Sequence, residues 1–161
     1  MGDIRRFDCM AKLIARQFSE YKERDIADVA GGKGFLREAL QKIGYRRVNV
    51  IEESRRCKKS LPGDKWKRFR YDAKEKYSLV IGMHPDEATD HIVLYAVRNN
   101  VPFVVCPCCV KPSAVPFDQV NSHYARWCKH IANLAVKTHN IMELTLPITG
   151  PNTVLVGRPK H

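Results

Sequence analysis

The stretch Ile26–Ala27–Asp28–Val29–Ala30–Gly31–Gly32–Lys33–Gly34–Phe35–Leu36 constrains the fold of this chain more than any other, together with its answer at Val48–Asn49–Val50–Ile51–Glu52. An apolar run carries Asp28 near its end and enters a glycine-rich turn. A helical pattern follows. A second apolar run then stops at an acid, 24 positions after Asp28. This is the layout of a nucleotide-type pocket at the carboxyl edge of a doubly wound sheet. Gly31, Gly32 and Gly34 lack a Cβ, so the backbone there can turn sharply and approach a ligand. The helix starting near Lys33 presents unpaired N–H groups and a partial positive charge, which suit a carboxylate or phosphate. Glu52, at the end of a neighbouring parallel strand, is placed to accept hydrogen bonds from ribose hydroxyls. The alternative is a bare glycine turn that binds nothing; the acid at the expected distance argues against it.

The 161 residues fit one domain, with 44% hydrophobic residues to fill a core. No run of eighteen apolar residues predicts a membrane span, and Met1–Met10 has no apolar segment of a secretory signal. The crowding of Cys106, Cys108 and Cys109 is unlike a spaced disulfide framework, so the expected location is intracellular, in cytoplasm or nucleus.

Charge is concentrated. Between Glu53 and Lys76, ten of 24 residues are Lys or Arg, against four acids, in a chain whose net charge is +11. Trp66, Phe69 and Tyr71 alternate with these cations. The mixture can neutralise phosphates and stack on bases, so Arg55, Arg56, Lys58, Lys59, Lys67, Arg68 and Arg70 are candidate RNA contacts. The competing reading is a solvated basic surface that keeps the protein soluble.

Periodicity predicts a first helix over Asp8–Tyr21, a strand over Asp25–Val29, a helix over Gly34–Ile43 and a strand over Arg46–Ile51. A short helix over Ser54–Ser60 is expected before Pro62–Gly63, then a strand over Lys67–Tyr71. Tyr77–Gly82 reads as a buried strand, Pro85–Asn99 as a helix with acids in its first turn, and Pro102–Cys106 as a strand. A long helix is expected over Asp118–His139, with Val120, Tyr124, Trp127, Ile131 and Leu134 as its apolar stripe. The last strands, Ile141–Leu146 and Thr153–Val156, are joined by a link too short for a crossover helix and must be antiparallel.

Five parallel strands followed by an antiparallel pair resemble the class I methyltransferases, over nearly the whole chain. The resemblance implies a Rossmann-like α/β fold: a seven-stranded, mostly parallel sheet with an antiparallel last strand and helices on both faces. It also implies the cofactor S-adenosyl-L-methionine. The family's first motif usually reads acid–x–Gly–x–Gly–x–Gly; here it is Asp28 to Gly34, with Ala30 in place of the first glycine. By resemblance, Asp28 and the Gly32–Gly34 turn hold the methionine end, Ala30 and Gly31 also bind the cofactor, Glu52 holds the ribose and Asp72 meets the adenine amino group. Gly82, Met83 and His84 line the methyl-transfer site. A narrower likeness, carried by Gly82–Met83–His84 through Thr89–Asp90 and by the Cys108–Cys109 pair, is to the methyltransferase-like subgroup that includes the tRNA acceptor-stem ribose methyltransferases. The histidine-rich tail that follows the pair in the tRNA enzymes is missing here.

Methyl transfer from a sulfonium needs an acceptor held in line and relieved of a proton. His84 is the candidate catalytic residue; the alternative is a cap for the helix starting at Pro85. Cys108 has three readings: a nucleophile, part of a zinc site, or part of a rigid turn that shapes the acceptor pocket with Cys109. Cys-x-Cys-Cys is not the Cys-x₂-Cys of structural zinc, so no metal is expected. The sequence thus predicts an adenosylmethionine-dependent methyltransferase acting on RNA, without an appended recognition domain and therefore served by a partner protein or homo-oligomerisation. The rivals are a methyltransferase for a protein or small molecule, a nicotinamide-dependent oxidoreductase, and a non-catalytic RNA-binding protein on the same fold.

Overall fold

Side-chain alternation along each strand assigns neighbouring residues to opposite layers, and the helices divide accordingly. The computed structural model describes residues 3–54, 60–120 and 123–161. In chain order the elements are α1 (Arg6–Gln17), β1 (Ile26–Val29), α2 (Phe35–Lys42), β2 (Val48–Ile51), β3 (Leu79–Met83), α3 (Thr89–Asn99), β4 (Phe103–Cys106), α4 (Tyr124–Asn133), β5 (His139–Thr145) and β6 (Thr153–Pro159). Met10, Ile14, Leu36 and Leu40 from α1 and α2 pack on Ile26, Val48, Leu79, Ile81 and Val104. Ile92, Tyr95, Trp127 and Ile131 from α3 and α4 pack on Ala27, Val80, Phe103 and Val105, on the opposite layer. Each such large side chain contributes about 1.5–3 kcal/mol when removed from water.

The sheet has six strands in the order β2-β1-β3-β4-β6-β5. The first four are mutually parallel, and β6 runs antiparallel to both β4 and β5. The sequence reading of seven strands is therefore corrected to six. Residues 67–71 form no strand; the contact there is an isolated bridge between Ile51 and Lys65. Phe69 turns into the core at 4% exposure while its charged neighbours stay out. The alternation that suggested a strand is that of a loop held by one aromatic anchor.

The long C-terminal helix is also corrected. It spans Tyr124–Asn133, and Val120 is 88% exposed rather than part of its apolar stripe. The chain leaves the helix early because His139 is already a strand residue. It is 1% exposed and its Nε2 donates to the Val101 carbonyl at 2.8 Å. Strands β5 and β6 then pair over seven residues, from His139 opposite Pro159 to Thr145 opposite Thr153. The helix expected over Ser54–Ser60 lies mostly outside the described residues.

Successive strands step from β1 outward to β2, then return to β3 on the other side of β1. That reversal opens a crevice at the carboxyl ends of β1 and β3, where doubly wound sheets bind ligands. The glycine turn follows β1 and His84 follows β3.

Candidate active site

The turn after β1 is held in left-handed conformations at Ala30 (φ 54°), Gly32 (φ 56°) and Gly34 (φ 82°). Ala30 thus adopts the backbone of the glycine that the motif usually carries, at a steric cost of about 1–2 kcal/mol. Gly31 is needed for a different reason. A Cβ there would stand 2.7 Å from Asp28 Oδ2. The Ala30 N–H donates to the Ile51 carbonyl at 2.8 Å, stitching the turn to the end of β2. Glu52 then reaches back, and its Oε2 accepts the Gly32 N–H at 2.7 Å. Its Oε1 accepts the Ser54 hydroxyl at 3.1 Å. Glu52 therefore braces the loop while facing the crevice.

Asp28 sits at the floor. It is 1% exposed, and its Oδ2 is buried without a hydrogen-bond partner. Burial pushes its carboxyl up to about 7, against the opposing pull of the Arg37 charge. The Arg37 backbone N–H and charge serve this carboxylate in part, but a buried oxygen left without a donor is costly, so Oδ2 suits a cationic or donor group. Sequence reasoning missed the support beneath it: Arg37 is 3% exposed and binds Asp64 at 2.5 Å. Asp64 also accepts the Val50 and Leu61 N–H groups, at 2.9 and 2.8 Å. An arginine beside Leu36 and Leu40 on an apolar helix face was the available signal for a buried ion pair.

The opposite wall follows β3. His84 (φ 54°) and Asp86 (φ 51°) are left-handed, like Ala30. Three of the four non-glycine residues with positive φ among the described residues thus flank one crevice, a concentration of backbone strain typical of ligand sites. The His84 Nε2–H donates to the Pro151 carbonyl at 2.8 Å. In the neutral ring that leaves Nδ1 as the acceptor. Burial holds His84 below the usual histidine range. The helix-cap reading of His84 finds no support: its ring bonds to the β5–β6 link, and no side chain caps the start of α3.

Cys108 and Cys109 converge on Asp86. Their thiols donate to Asp86 Oδ1 at 3.1 and 3.3 Å, and the sulfurs are 3.7 Å apart. The Lys111 ammonium reaches the same oxygen at 3.3 Å. Burial and Asp86 push the Cys108 thiol up to about 12. Burial tends to raise the Asp86 carboxyl, but hydrogen bonds from Cys108, Cys109 and Lys111 bring it below the usual carboxylate range. The segment beyond this cluster is fixed by Asp90, whose Oδ2 accepts the N–H groups of Ser113, Ala114 and Val115 at 2.9, 2.8 and 3.2 Å.

These walls enclose a cavity of about 510 Å³, lined by Asp28, Ala30, Gly31, Gly32, Met83, His84, Asp86 and Cys108 with others. A second cavity of about 220 Å³ continues past Ala30 and Asp86 to Glu52, Lys67, Arg68 and Phe69. Of the predicted residues, Gly34 starts α2 and lines neither cavity. Gly82 also stays outside; a Cβ there would meet Ile92 Cδ1 at 2.5 Å, so its glycine serves the packing of α3 on β3. Asp72 lines neither cavity and faces Arg70 at 3.5 Å. Arg55, Arg56, Lys58 and Lys59 lie outside the described residues. Ile4, Arg6, Phe7 and Phe35, missed in the sequence, line the larger cavity.

No protein-family model and no curated protein sequence matches the chain. Solved structures do match in fold. The magnesium protoporphyrin IX methyltransferase ChlM from Synechocystis PCC 6803, solved with bound SAM, is 13% identical with a TM-score of 0.62, covering 94% of this chain and 79% of its own. The sugar N-methyltransferase KedS8 from Streptoalloteichus sp ATCC 53650 is 14% identical with a TM-score of 0.61, covering 96% and 88%. The ribosomal protein L11 methylase from Lactobacillus delbrueckii subsp. bulgaricus is 17% identical with a TM-score of 0.61, covering 94% and 77%. The chain thus has the Rossmann-like fold of the class I methyltransferases.

Proposed function

We propose that this protein is an S-adenosyl-L-methionine-dependent methyltransferase acting on RNA. The observation that carries the cofactor reading is the convergence of Asp28, Gly31–Gly32 and Glu52 on one crevice at the reversal point of the sheet. The residues fit the cofactor in three respects. Asp28 Oδ2 is an orphaned buried acceptor suited to the methionine ammonium. Gly31 leaves space beside Asp28 that a Cβ would fill. The two cavities meet at Ala30 and Asp86, giving an elongated site with an acid in each part. Bound adenosylmethionine supplies an electrophilic methyl group on a sulfonium.

The chain's own residues do the rest. Asp28 binds the amino end, and Glu52 accepts the ribose hydroxyls while keeping the glycine turn in place. Phe69 and Met83 supply apolar walls. His84, oriented by Pro151, accepts the acceptor's proton at Nδ1. Cys108 and Cys109 belong to the wall; a thiol held near 12 is protonated at neutral pH and is a poor nucleophile. The RNA reading rests on the net charge of +11 and on Lys67 and Arg68 at the rim of the smaller cavity.

Titration calorimetry tests the cofactor. Adenosylmethionine or adenosylhomocysteine should bind, and NAD should not; NAD alone binding would sink the reading. Glu52→Ala should weaken binding by about 1.5–3 kcal/mol, the worth of a charged hydrogen bond. His84→Ala should keep cofactor affinity and lower turnover by about 10²–10⁴-fold on the acceptor RNA.

A further inference from the structure

We propose that Asp86, Cys108 and Cys109 form a zinc site at the rim of the larger cavity, with one coordination position left open. The three donor atoms already form a triangle of the right size. Tetrahedral zinc, with bonds of about 2.3 Å to sulfur and about 2.0 Å to oxygen, separates two sulfurs by about 3.8 Å and sulfur from oxygen by about 3.5 Å. The sulfurs here are 3.7 Å apart, and the Asp86 oxygen lies 3.1 and 3.3 Å from them. Among the described residues, this is the group of cysteine, histidine and acidic side chains close enough to share one ion. The Cys-x-Cys-Cys spacing conceals it, because the third ligand comes from the turn after β3 and not from the cysteine segment.

The backbone and the charges agree with this use. Asp86 is held at φ 51°, a conformation that costs an L-residue energy and that aims its carboxylate at the cysteine loop. Pro107 fixes the approach to Cys108, and its carbonyl is tied by the Tyr124 hydroxyl at 2.7 Å. Zinc binding releases one proton from each thiol. Two thiolates, one carboxylate and the Lys111 ammonium then balance a divalent cation to neutrality. Lys111 now shares the Asp86 oxygen; with the ion in place it can pair with the carboxylate's other oxygen. Three protein ligands with an open fourth position are the composition of reactive zinc sites, where a bound hydroxyl or thiol loses its proton near neutral pH. Because Asp86 and Cys108 both line the larger cavity, a group bound at that position is reached from the crevice.

The site stands independently of the cofactor, so its test uses the full-length, reduced, chelator-dialysed protein without adenosylmethionine. Zinc competition against a chromophoric chelator should give one ion per chain. Cobalt substitution should show sulfur-to-metal charge-transfer absorption with tetrahedral ligand-field bands. Changing an outer-shell partner of a metal typically costs 10–100-fold in affinity, so losing a direct ligand through Cys109→Ser or Asp86→Asn should cost at least about 100-fold. Cys109 is exposed, so its replacement should leave the circular dichroism spectrum unchanged. Cys9→Ser should retain full zinc affinity. Absence of binding at micromolar zinc, an octahedral cobalt spectrum, or equal affinity in Cys109→Ser and the unchanged protein would each overturn the proposal.

Discussion

Asp28 at the end of β1 and Ala30 in the turn after it each cost stability, one through buried charge and one through backbone strain, and both costs can be measured. Asp28 is raised to about 7 by burial, so the folded state holds its proton more tightly than the unfolded chain does. Its contribution is intact below the ordinary carboxylate range and is lost as pH rises through about 7. In Asp28→Asn that loss should vanish. Between pH 5 and pH 8 the unchanged protein should fall behind the variant by roughly 3 kcal/mol in urea unfolding, a shift of about two pH units' linkage. The same variant should bind adenosylmethionine less well, since the buried negative charge suited to the amino end is gone. A flat difference between the two proteins across that range would mean that Asp28 is solvated when folded. Ala30 at φ 54° gives the second case. Ala30→Gly removes a strain of about 1–2 kcal/mol and adds about 0.5–1 kcal/mol of unfolded-state entropy, so Tm should hold or rise slightly. Ala30→Val, whose branched side chain resists this conformation, should lower both Tm and cofactor affinity.

At the level of elements, the weakest tolerance lies where the antiparallel strand is inserted. Phe103 of β4 stands opposite Gly157 of β6, and a Cβ at Gly157 would come within 2.1 Å of the Phe103 ring. Gly157→Ala should destabilise by about 1–3 kcal/mol as an overpacked contact, and combining it with Phe103→Leu should recover part of that loss in a double-mutant cycle. Strict additivity of the two changes would show that the ring had moved aside. This contact was invisible in the sequence, where Gly157 falls just beyond the strand expected over Thr153–Val156; nothing local says which residue of another strand will face it. The elements around the crevice were legible because each has its own signal. Strand-ending acids at Asp28 and Glu52, glycines between them and the apolar run before His84 carry the β1, β2 and β3 ends. Residues 67–71 misled because one buried aromatic among cations has the period of a half-buried strand. Asp86 as the meeting point of both cysteines was illegible for a related reason: the link from the turn after β3 to the loop after β4 is made by sheet pairing, over more than twenty residues.

On the scale of the whole molecule the governing property is a net charge of +11, unevenly spread. Lys67 pairs with the half-buried Glu75, Arg68 with Glu53 at 3.3 Å, and Arg70 with Asp72 at 3.5 Å, the last two on exposed side chains. Exposed pairs of this kind are worth about 0–1 kcal/mol and are readily exchanged for phosphate contacts. No helix of the described residues is long and apolar enough to cross a membrane. If about four phosphates of a single strand are neutralised, the slope of log affinity against log salt should be roughly −2.8. Replacing Lys67, Arg68 and Arg70 together by Ala should remove about three of those contacts and bring the slope to roughly −0.7. The measurement is filter binding of a single-stranded RNA from low to physiological salt. Binding that is absent at low salt, or a slope that the triple variant leaves unchanged, would detach this segment from RNA and return its cations to the role of a solvated surface. Cofactor titration would still test the crevice by itself, because the Asp28–Glu52 pocket makes no demand on the acceptor's charge, and a protein or small-molecule acceptor would then take the place of RNA.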